Sequence, residues 1–291
     1  MYTAPFEYHR AGSIQEAISL LGELGDDAKL LSGGHSLIPL MKLRFAQPAH
    51  LIDVRRIPNL AGIREEDGAV VIGAATTHAE IERSSVGARR LPILAEAAGQ
   101  IGDPLVRNVG TIGGSLAHAD PGADWPAVML ALNAEFRVVG PLGTRMIAAD
   151  DFFLDILTTA LGPNEMLTEV RIPTPGARSG GSYSKFRHPA SGYALIGVAA
   201  QISVGAERTI RDARVAITGV GTRATRAWAT ERALVGKTAG DAGSVASASV
   251  VASEGLEFRA EAKGSVEYQQ HCVAVYARRA IARAIERAAG S

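Results

Sequence analysis

TIGGSLAHADPGADWP, residues 111–126, is the most informative segment of this sequence. Its two adjacent glycines, Gly113 and Gly114, stand between the hydroxyl-bearing residues Thr111 and Ser115. Glycine permits positive φ angles and lets a ligand approach the main chain without meeting a Cβ atom. Successive N–H groups in such a turn can hold an anion such as pyrophosphate. The pattern therefore predicts a phosphate-binding turn.

A second small-residue motif, SGGHS, occupies residues 32–36. It follows the apolar run 29–31, which is predicted to be a short strand, and precedes a predicted short helix over 36–43. That order places the amides of the loop at a helix N-terminus, where anions are favoured. With a further predicted strand over 50–54, the opening unit is β-α-β. Two such motifs suggest one long phosphate-containing ligand held from both sides.

Composition limits the class of protein. The 291 residues are 47% apolar and 21% charged, as in ordinary globular proteins, and predict two or three compact units. Thirty basic and thirty acidic residues cancel, so the sequence lacks the basic surface expected of a nucleic-acid or membrane-surface binder. No apolar run approaches the ~20 residues that span a bilayer, and the start lacks a signal-peptide pattern. We expect a cytoplasmic protein without stable membrane insertion.

The single cysteine, Cys272, excludes an internal disulfide and leaves no thiolate set for an iron–sulfur cluster on this chain. We expect Cys272 to be a packing residue and expect no metal site here. The arginines at 278–279 and 283–287 are predicted to form a solvated helix face.

Helix and strand patterns are mixed along the chain without strict alternation, which favours the α+β class. Ser13 and Glu16 form a predicted capping box for a helix ending near Gly22 or Gly25. The best predicted linker is 174–181, which is rich in glycine and proline. The remaining predicted elements are hairpins at 61–74 and 135–147, helices at 77–80, 91–98, 125–132, 225–235, 244–256 and 266–289, and strands at 167–172, 182–186, 195–204 and 211–218.

The two glycine motifs together resemble those of the FAD-binding medium subunit of molybdenum hydroxylases, the carbon monoxide dehydrogenase and xanthine dehydrogenase family of flavoprotein subunits. Residues 33–36 match its Gly-Gly-His/Gln-Ser loop, and residues 111–124 match its longer second motif. The resemblance is closest to the aerobic carbon monoxide dehydrogenase type and runs nearly end to end. It implies a vanillyl-alcohol-oxidase-like (PCMH-type) FAD-binding domain of two α/β subdomains, at 1–57 and 58–175, followed by a C-terminal α+β domain at 176–291.

The resemblance also implies noncovalent FAD, with His35 as a hydrogen-bond donor in its loop. Asp124 would accept a hydrogen bond from a ribityl or ribose hydroxyl, or cap the helix that follows. Lys29 and His118 would face the ligand or be ordinary polar residues, and Leu167 would pack on the cofactor or in the core. The implied cofactor-binding residues are Lys29, Ser32, Gly33, Gly34, His35, Ser36, Leu37, Thr111, Gly113, Gly114, Ser115, His118, Asp124, Leu167, Lys185 and Tyr193.

Tyr193 matches the family position beside the isoalloxazine ring, and Lys185 matches a basic position nearby. A protonated lysine there would stabilise the anionic reduced flavin. The family segment is usually richer in lysine and has Gly-Asp before the aromatic residue, whereas residues 186–193 are FRHPASGY.

The activity implied is electron transfer, with no catalytic side chain on this chain. The molybdenum cofactor would reside on a large partner subunit and two 2Fe-2S clusters on a small one, in a dimer of heterotrimers. FAD would collect single electrons from the clusters and pass pairs to an external acceptor. The substrate of the complex is open among carbon monoxide, an aldehyde, a purine and an N-heteroaromatic. The rival hypotheses are a self-contained FAD oxidase or dehydrogenase, and a non-catalytic assembly subunit.

Overall fold

The computed structural model describes residues 2–258 and 264–290 and mixes helices with four separate sheets, which confirms the α+β prediction. The strands are β1 (Glu7–Arg10), β2 (Ala28–Leu31), β3 (His50–Asp53), β4 (Ile63–Glu66), β5 (Ala69–Gly73), β6 (Glu135–Gly140), β7 (Gly143–Ala148), β8 (Phe153–Asp155), β9 (Thr158–Thr159), β10 (Met166–Pro173), β11 (Ser179–Arg187), β12 (Ala194–Val204), β13 (Ile210–Thr218) and β14 (Thr225–Arg226). The helices are α1 (Ile14–Leu24), α2 (Leu37–Lys42), α3 (His78–Glu82), α4 (Ser85–Arg90), α5 (Pro92–Ala98), α6 (Pro104–Val109), α7 (Ile112–His118), α8 (Asp124–Ala131), α9 (Ala149–Phe152), α10 (Trp228–Leu234), α11 (Ala242–Val250) and α12 (Val266–Gly290).

The first sheet has the order β1-β3-β2, with parallel pairing on both sides of β3. The predicted β-α-β unit is present as β2, α2 and β3. Strand β1 was not predicted, because an edge strand with the sequence EYHR shows no apolar periodicity. Ser13 caps α1 by accepting from the Glu16 amide at 3.1 Å, but the Glu16 carboxylate accepts from the Gly12 amide instead of closing the predicted box.

The second sheet has the order β4-β5-β10-β6-β7 and contains both predicted hairpins. Helix α8 follows the second glycine motif, and all eight of its residues are buried. It packs against β12 and β13 of the next sheet as well as against α5 and α7. This helix therefore joins the N-terminal part of the chain to the C-terminal part.

The third sheet, β11-β12-β13-β14, is covered by α12, which packs on β11 and β12. The predicted linker at 174–181 is wrong at its end, because β11 already begins at Ser179. Gly180 serves close packing there: a Cβ on it would lie 2.2 Å from the Ala284 carbonyl oxygen of α12. A Gly-Gly pair under a crossing helix has the same sequence pattern as a turn.

The prediction of a wholly solvated arginine face on α12 is wrong for two residues. Arg283 and Arg287 form ion pairs with Glu96 of α5, at 2.6 and 2.8 Å. These pairs connect the C-terminal helix to the N-terminal part of the chain. Cys272 is buried, as predicted.

Among the described residues, no helix combines the length and the apolar character required to cross a bilayer. The three larger sheets fall within 1–57, 58–175 and 176–291. The division of the chain at those boundaries stays a prediction.

Candidate functional site

A cavity of about 460 Å³ lies where the two glycine motifs meet. Its volume is within the ~300–1,000 Å³ typical of small-molecule and cofactor sites. Every predicted site residue except Lys185 contributes to its lining. The walls are completed by Leu30, Leu31, Leu40, Val54, Leu60, Ala74, Ala75, His78, Ile101, Gly102, Val106, Gly110, Ala117, Asp120, Ala123, Leu161, Glu165, Met166, Ser191 and Gly192.

The first motif forms an open row of hydrogen-bond donors on the cavity wall. Gly34 has a φ of 72°, in the left-handed region that glycine enters without strain. A Cβ on Gly33 would lie 2.4 Å from the Val109 carbonyl oxygen, so this position also requires glycine. Within the described part of the chain, none of the main-chain N–H groups of Gly33–Leu37 donates to a protein acceptor. Consecutive free amides of this kind suit an anionic group.

The second motif is not the turn that the sequence predicts. Thr111 is the N-cap of α7, and its hydroxyl accepts from the Gly114 amide at 3.2 Å. The Gly113 amide donates to the Ala74 carbonyl oxygen at 2.9 Å. Both amides are therefore paired inside the protein, and the contribution to an anion site that was expected of them stays a prediction. The pattern misled because glycines in a first helical turn and glycines in a loop have the same spacing.

The second motif instead supplies hydroxyls and open space. The Thr111 hydroxyl donates to Ser32 Oγ at 3.0 Å, so the two motifs contact each other directly. Gly113 is held against Ala74, whose Cβ would be 2.5 Å from a Cβ at Gly113. Gly114 is exposed and borders the cavity, where a side chain would reduce the space for a ligand.

Asp124 lies at the start of α8 and is only 4% exposed. The N-cap of α8 is Ala123, so the helix-cap alternative for Asp124 is wrong. Its carboxylate accepts from the Tyr183 hydroxyl at 2.5 Å and from the Lys185 ammonium group at 2.8 Å. Burial raises the pKa of Asp124, and the charge of Lys185 opposes that rise. The proposed contact to a ribityl or ribose hydroxyl stays a prediction.

Lys185 is buried behind Asp124, with a side chain only 1% exposed. Its ammonium group also donates to the Gln100 carbonyl oxygen at 3.0 Å. Burial lowers the pKa of Lys185, and the carboxylate of Asp124 opposes that change. Because Lys185 does not line the cavity, it reaches the site through Asp124. The sequence could not reveal this, since the lysine and the aspartate are 61 residues apart.

Tyr193 brings the C-terminal part to the cavity. Its side chain is 41% exposed and lines the wall beside Gly122, where a Cβ would lie 3.3 Å from the tyrosine ring. The Ala194 amide donates to the Gly122 carbonyl oxygen at 3.0 Å and fixes this approach. Burial raises the pKa of Tyr193, the negative charge of Asp120 adds to that rise, and the nearby Ser36 side chain opposes it.

Two histidines on the cavity wall are held neutral. Burial lowers the pKa of His118, which ends α7 and is half-buried. His78 was missed as a site residue because its sequence context, after the Thr77 cap, indicated only a helix start. Burial, together with the nearby charges of His35 and Arg107, lowers the pKa of His78 to about 4. Its Nδ1 accepts from the Trp125 indole N–H at 3.1 Å.

The other predicted positions divide between solvent and core. Lys29 is exposed at the cavity edge, and His35 is exposed in its loop. Leu167 is 5% exposed and belongs both to the main core and to the wall, so its two predicted roles coincide. The cavity thus combines apolar lining residues such as Leu161 and Leu167 with polar ones such as Ser36 and Tyr193.

Comparison with known proteins assigns this architecture. The family described as "FAD binding domain in molybdopterin dehydrogenase" matches residues 4–175, and the one described as "CO dehydrogenase flavoprotein C-terminal domain" matches residues 181–284. The chain belongs to the family of FAD-binding medium subunits of molybdenum hydroxylases. It is therefore part of an oxidoreductase, and its cofactor is FAD.

Individual relatives of this medium subunit agree. The carbon monoxide dehydrogenase medium chain of Afipia carboxidovorans is 41% identical and covers 99% of both chains. That of Hydrogenophaga pseudoflava is 48% identical over 80% of each chain. A solved carbon monoxide dehydrogenase from Hydrogenophaga pseudoflava superposes with a TM-score of 0.95 at 45% identity, over 99% of each chain. These matches confirm the family that the two glycine motifs predicted.

Proposed function

We propose that this medium subunit is the electron-transfer component of a heterotrimeric molybdenum hydroxylase. In this proposal, 2Fe-2S clusters on a small partner subunit deliver electrons to the cavity, and an external acceptor removes them. The molybdenum cofactor and the oxidation of substrate belong to a large partner subunit. The carbon monoxide dehydrogenase names of the relatives support this division of labour.

The observation that carries the proposal is the row of five open amides, Gly33–Leu37, in a cavity that the Ser115 hydroxyl group also lines. These donors fit a pyrophosphate, and the apolar walls near Leu167 fit a planar ring. When bound, FAD supplies the exchange between one-electron and two-electron transfer. The chain itself binds the phosphates, excludes water with Tyr193, and holds one charged pair behind the wall.

We propose that the cofactor is held without a covalent bond. His35 lies in an exposed loop beside the open amides, which supports a role as hydrogen-bond donor. Acid precipitation of the purified chain is then expected to release all of its yellow colour into the supernatant. Flavin retained on the denatured chain would contradict this and favour a histidyl linkage.

We further propose a cytoplasmic dimer of heterotrimers without membrane insertion. The match to relatives named as medium chains supports partners of larger and smaller size. Co-expression with the adjacent large and small subunits, followed by native mass spectrometry, tests it. The expected mass contains two copies of each subunit. A stable mass of this chain alone, with both partners present and folded, would contradict the assembly.

A further inference from the structure

Three side chains outside the FAD cavity converge on one point at the edge of the first sheet. Glu7 and His9 lie on β1, and His50 begins the neighbouring strand β3. His9 Nε2 and His50 Nδ1 are 3.1 Å apart, and the nearer Glu7 carboxylate oxygen is 3.5 Å from His50 Nδ1 and 3.9 Å from His9 Nε2. The electron-transfer function uses none of these residues.

The backbone of the sheet explains the convergence. Glu7 pairs with His50 in the parallel register, and Glu7 and His9 are two positions apart on one strand, so their side chains leave the same face. The Glu7 amide donates to the Ala49 carbonyl oxygen at 2.7 Å, which fixes the end of β1. Tyr8 points to the other face, where its hydroxyl donates to Asp53 at 2.6 Å. The two imidazoles are therefore positioned by paired strands rather than by a loop.

The distances match those of a tetrahedral metal site. Zinc binds histidine nitrogen and carboxylate oxygen at about 2.0–2.2 Å, so two ligand atoms of a tetrahedral site are separated by roughly 3.3–3.5 Å. The three observed separations, 3.1, 3.5 and 3.9 Å, bracket that value. We propose that Glu7, His9 and His50 form a site for a divalent transition metal ion of the zinc class.

The donor set defines the chemistry of this site. Two imidazoles and one carboxylate suit zinc and its neighbours, whereas magnesium and calcium prefer oxygen ligands alone. The three protein ligands leave one tetrahedral position for water. His9 and His50 are about one quarter and one fifth exposed, and the Glu7 side chain is 74% exposed, so an ion can enter from solvent. A bound ion would join the edge strand β1 to the central strand β3.

The amino-acid sequence does not indicate this site, because His9 and His50 are 41 residues apart and the segment that forms β1 shows no apolar periodicity. The expectation of no metal on the chain rested on the cysteine count, which does not bear on histidine sites. The spacing Glu7-x-His9 becomes meaningful only when β3 is placed beside it.

The proposal is tested by isothermal titration calorimetry. The full-length, FAD-containing chain is first treated with a chelator and then titrated with zinc chloride. We expect one zinc ion per chain and no measurable binding of magnesium. His9→Gln and His50→Gln should each weaken binding by about tenfold or more, since even the loss of an outer-shell partner costs about 10–100-fold. The matched control is His271→Gln, which removes an exposed histidine on α12 and should leave zinc binding unchanged.

Glu7→Gln keeps the test decisive if a histidine variant fails to fold, because this side chain is largely exposed. It should also weaken zinc binding by about tenfold. Zinc should raise the Tm of the unaltered chain by about 2–4 °C and leave that of Glu7→Gln unchanged. Absence of one-to-one binding would overturn the proposal. Unaltered affinity in His9→Gln, His50→Gln or Glu7→Gln would also overturn it and identify the zinc as adventitious.

Discussion

The carboxylate of Asp124 and the ammonium group of Lys185 are 2.8 Å apart, and each side chain is at least 95% buried. Asp124 belongs to α8 in the FAD-binding part, and Lys185 belongs to β11 in the C-terminal part. Tyr183, on the same strand, donates to Oδ1 of that carboxylate at 2.5 Å. One buried charge pair therefore fixes the C-terminal sheet to the wall of the cofactor cavity.

Replacing Lys185 with methionine tests the energetic weight of this pair. The substitution leaves the buried Asp124 carboxylate without its cationic partner, which typically costs about 3–5 kcal/mol. We expect the free energy of unfolding in urea to fall by that amount and FAD affinity to fall with it. Arg89→Met is the matched control: Arg89 pairs with Glu65 at the surface, where such a loss costs about 0–1 kcal/mol. Equal effects of the two substitutions would contradict the role assigned to the buried pair.

Gly114→Val tests where the cofactor lies. Gly114 borders the cavity, and a Cβ there would meet only the Thr111 hydroxyl, at 2.9 Å. The valine side chain should occupy cofactor space and yield a folded chain with little or no flavin absorbance. Gly22→Val is the control, because Gly22 is exposed on α1 with open space around its Cα. A folded Gly114→Val chain with full FAD occupancy would refute this placement.

Tyr193→Ala tests whether the C-terminal part influences the flavin. Aromatic contacts contribute about 0.5–1.5 kcal/mol, which for a two-electron couple corresponds to roughly 10–30 mV. We expect retained FAD, a shift of that size in its reduction potential, and a changed rate of reoxidation by an external acceptor. Tyr193→Phe separates the effect of the ring from that of the hydroxyl, which lies near Ser36. Tyr2→Ala, at a 90% exposed tyrosine, is the control. An unaltered potential in Tyr193→Ala would exclude contact with the flavin.

His78 predicts an acid sensitivity with a definite sign. Its pKa is about 4 in the folded chain and 6.5 without burial, so below pH 6.5 the unfolded chain binds the extra proton. Folded stability is therefore fully present above pH 6.5 and falls as the pH drops toward 4. By pH 5 the loss amounts to about 2 kcal/mol.

The measurement compares unfolding in urea at pH 7.5 and 5.0. His78→Asn keeps an acceptor for the Trp125 indole but does not titrate, so it should lose about 2 kcal/mol less than the unaltered chain on acidification. His271→Asn, which replaces an exposed histidine on α12, should lose as much unfolding free energy on acidification as the unaltered chain does. Identical losses in His78→Asn and the unaltered chain would show that His78 is not the titrating group.

Local patterns were sufficient to predict most of the fold. The hairpins around β4–β5 and β6–β7 and the long strand β12 were predicted because turn residues and apolar runs are local signals. The first glycine loop also behaves as predicted, with Gly34 at positive φ. The resemblance to the family predicted Tyr193 beside the flavin, and Tyr193 lines the cavity.

Features that depend on distant partners were not predictable. The helix α7 replaces a predicted turn because the Gly113 amide finds an acceptor at Ala74, 39 residues away in the chain. The placement of Lys185 behind Asp124 depends on how β11 packs against α8. Strand β1 forms because β3 offers it a parallel partner, which its own polar sequence does not indicate.

The most direct test of the electron-transfer assignment is anaerobic mixing of this FAD-containing chain with the dithionite-reduced small subunit, followed by stopped-flow absorbance. We expect the flavin absorbance of this chain to bleach while the cluster absorbance of the small subunit returns, with one flavin reduced for every two clusters oxidised. Flavin that stays oxidised beside reduced clusters, yet bleaches when this chain alone meets an organic substrate, would contradict the account and support a self-contained oxidase.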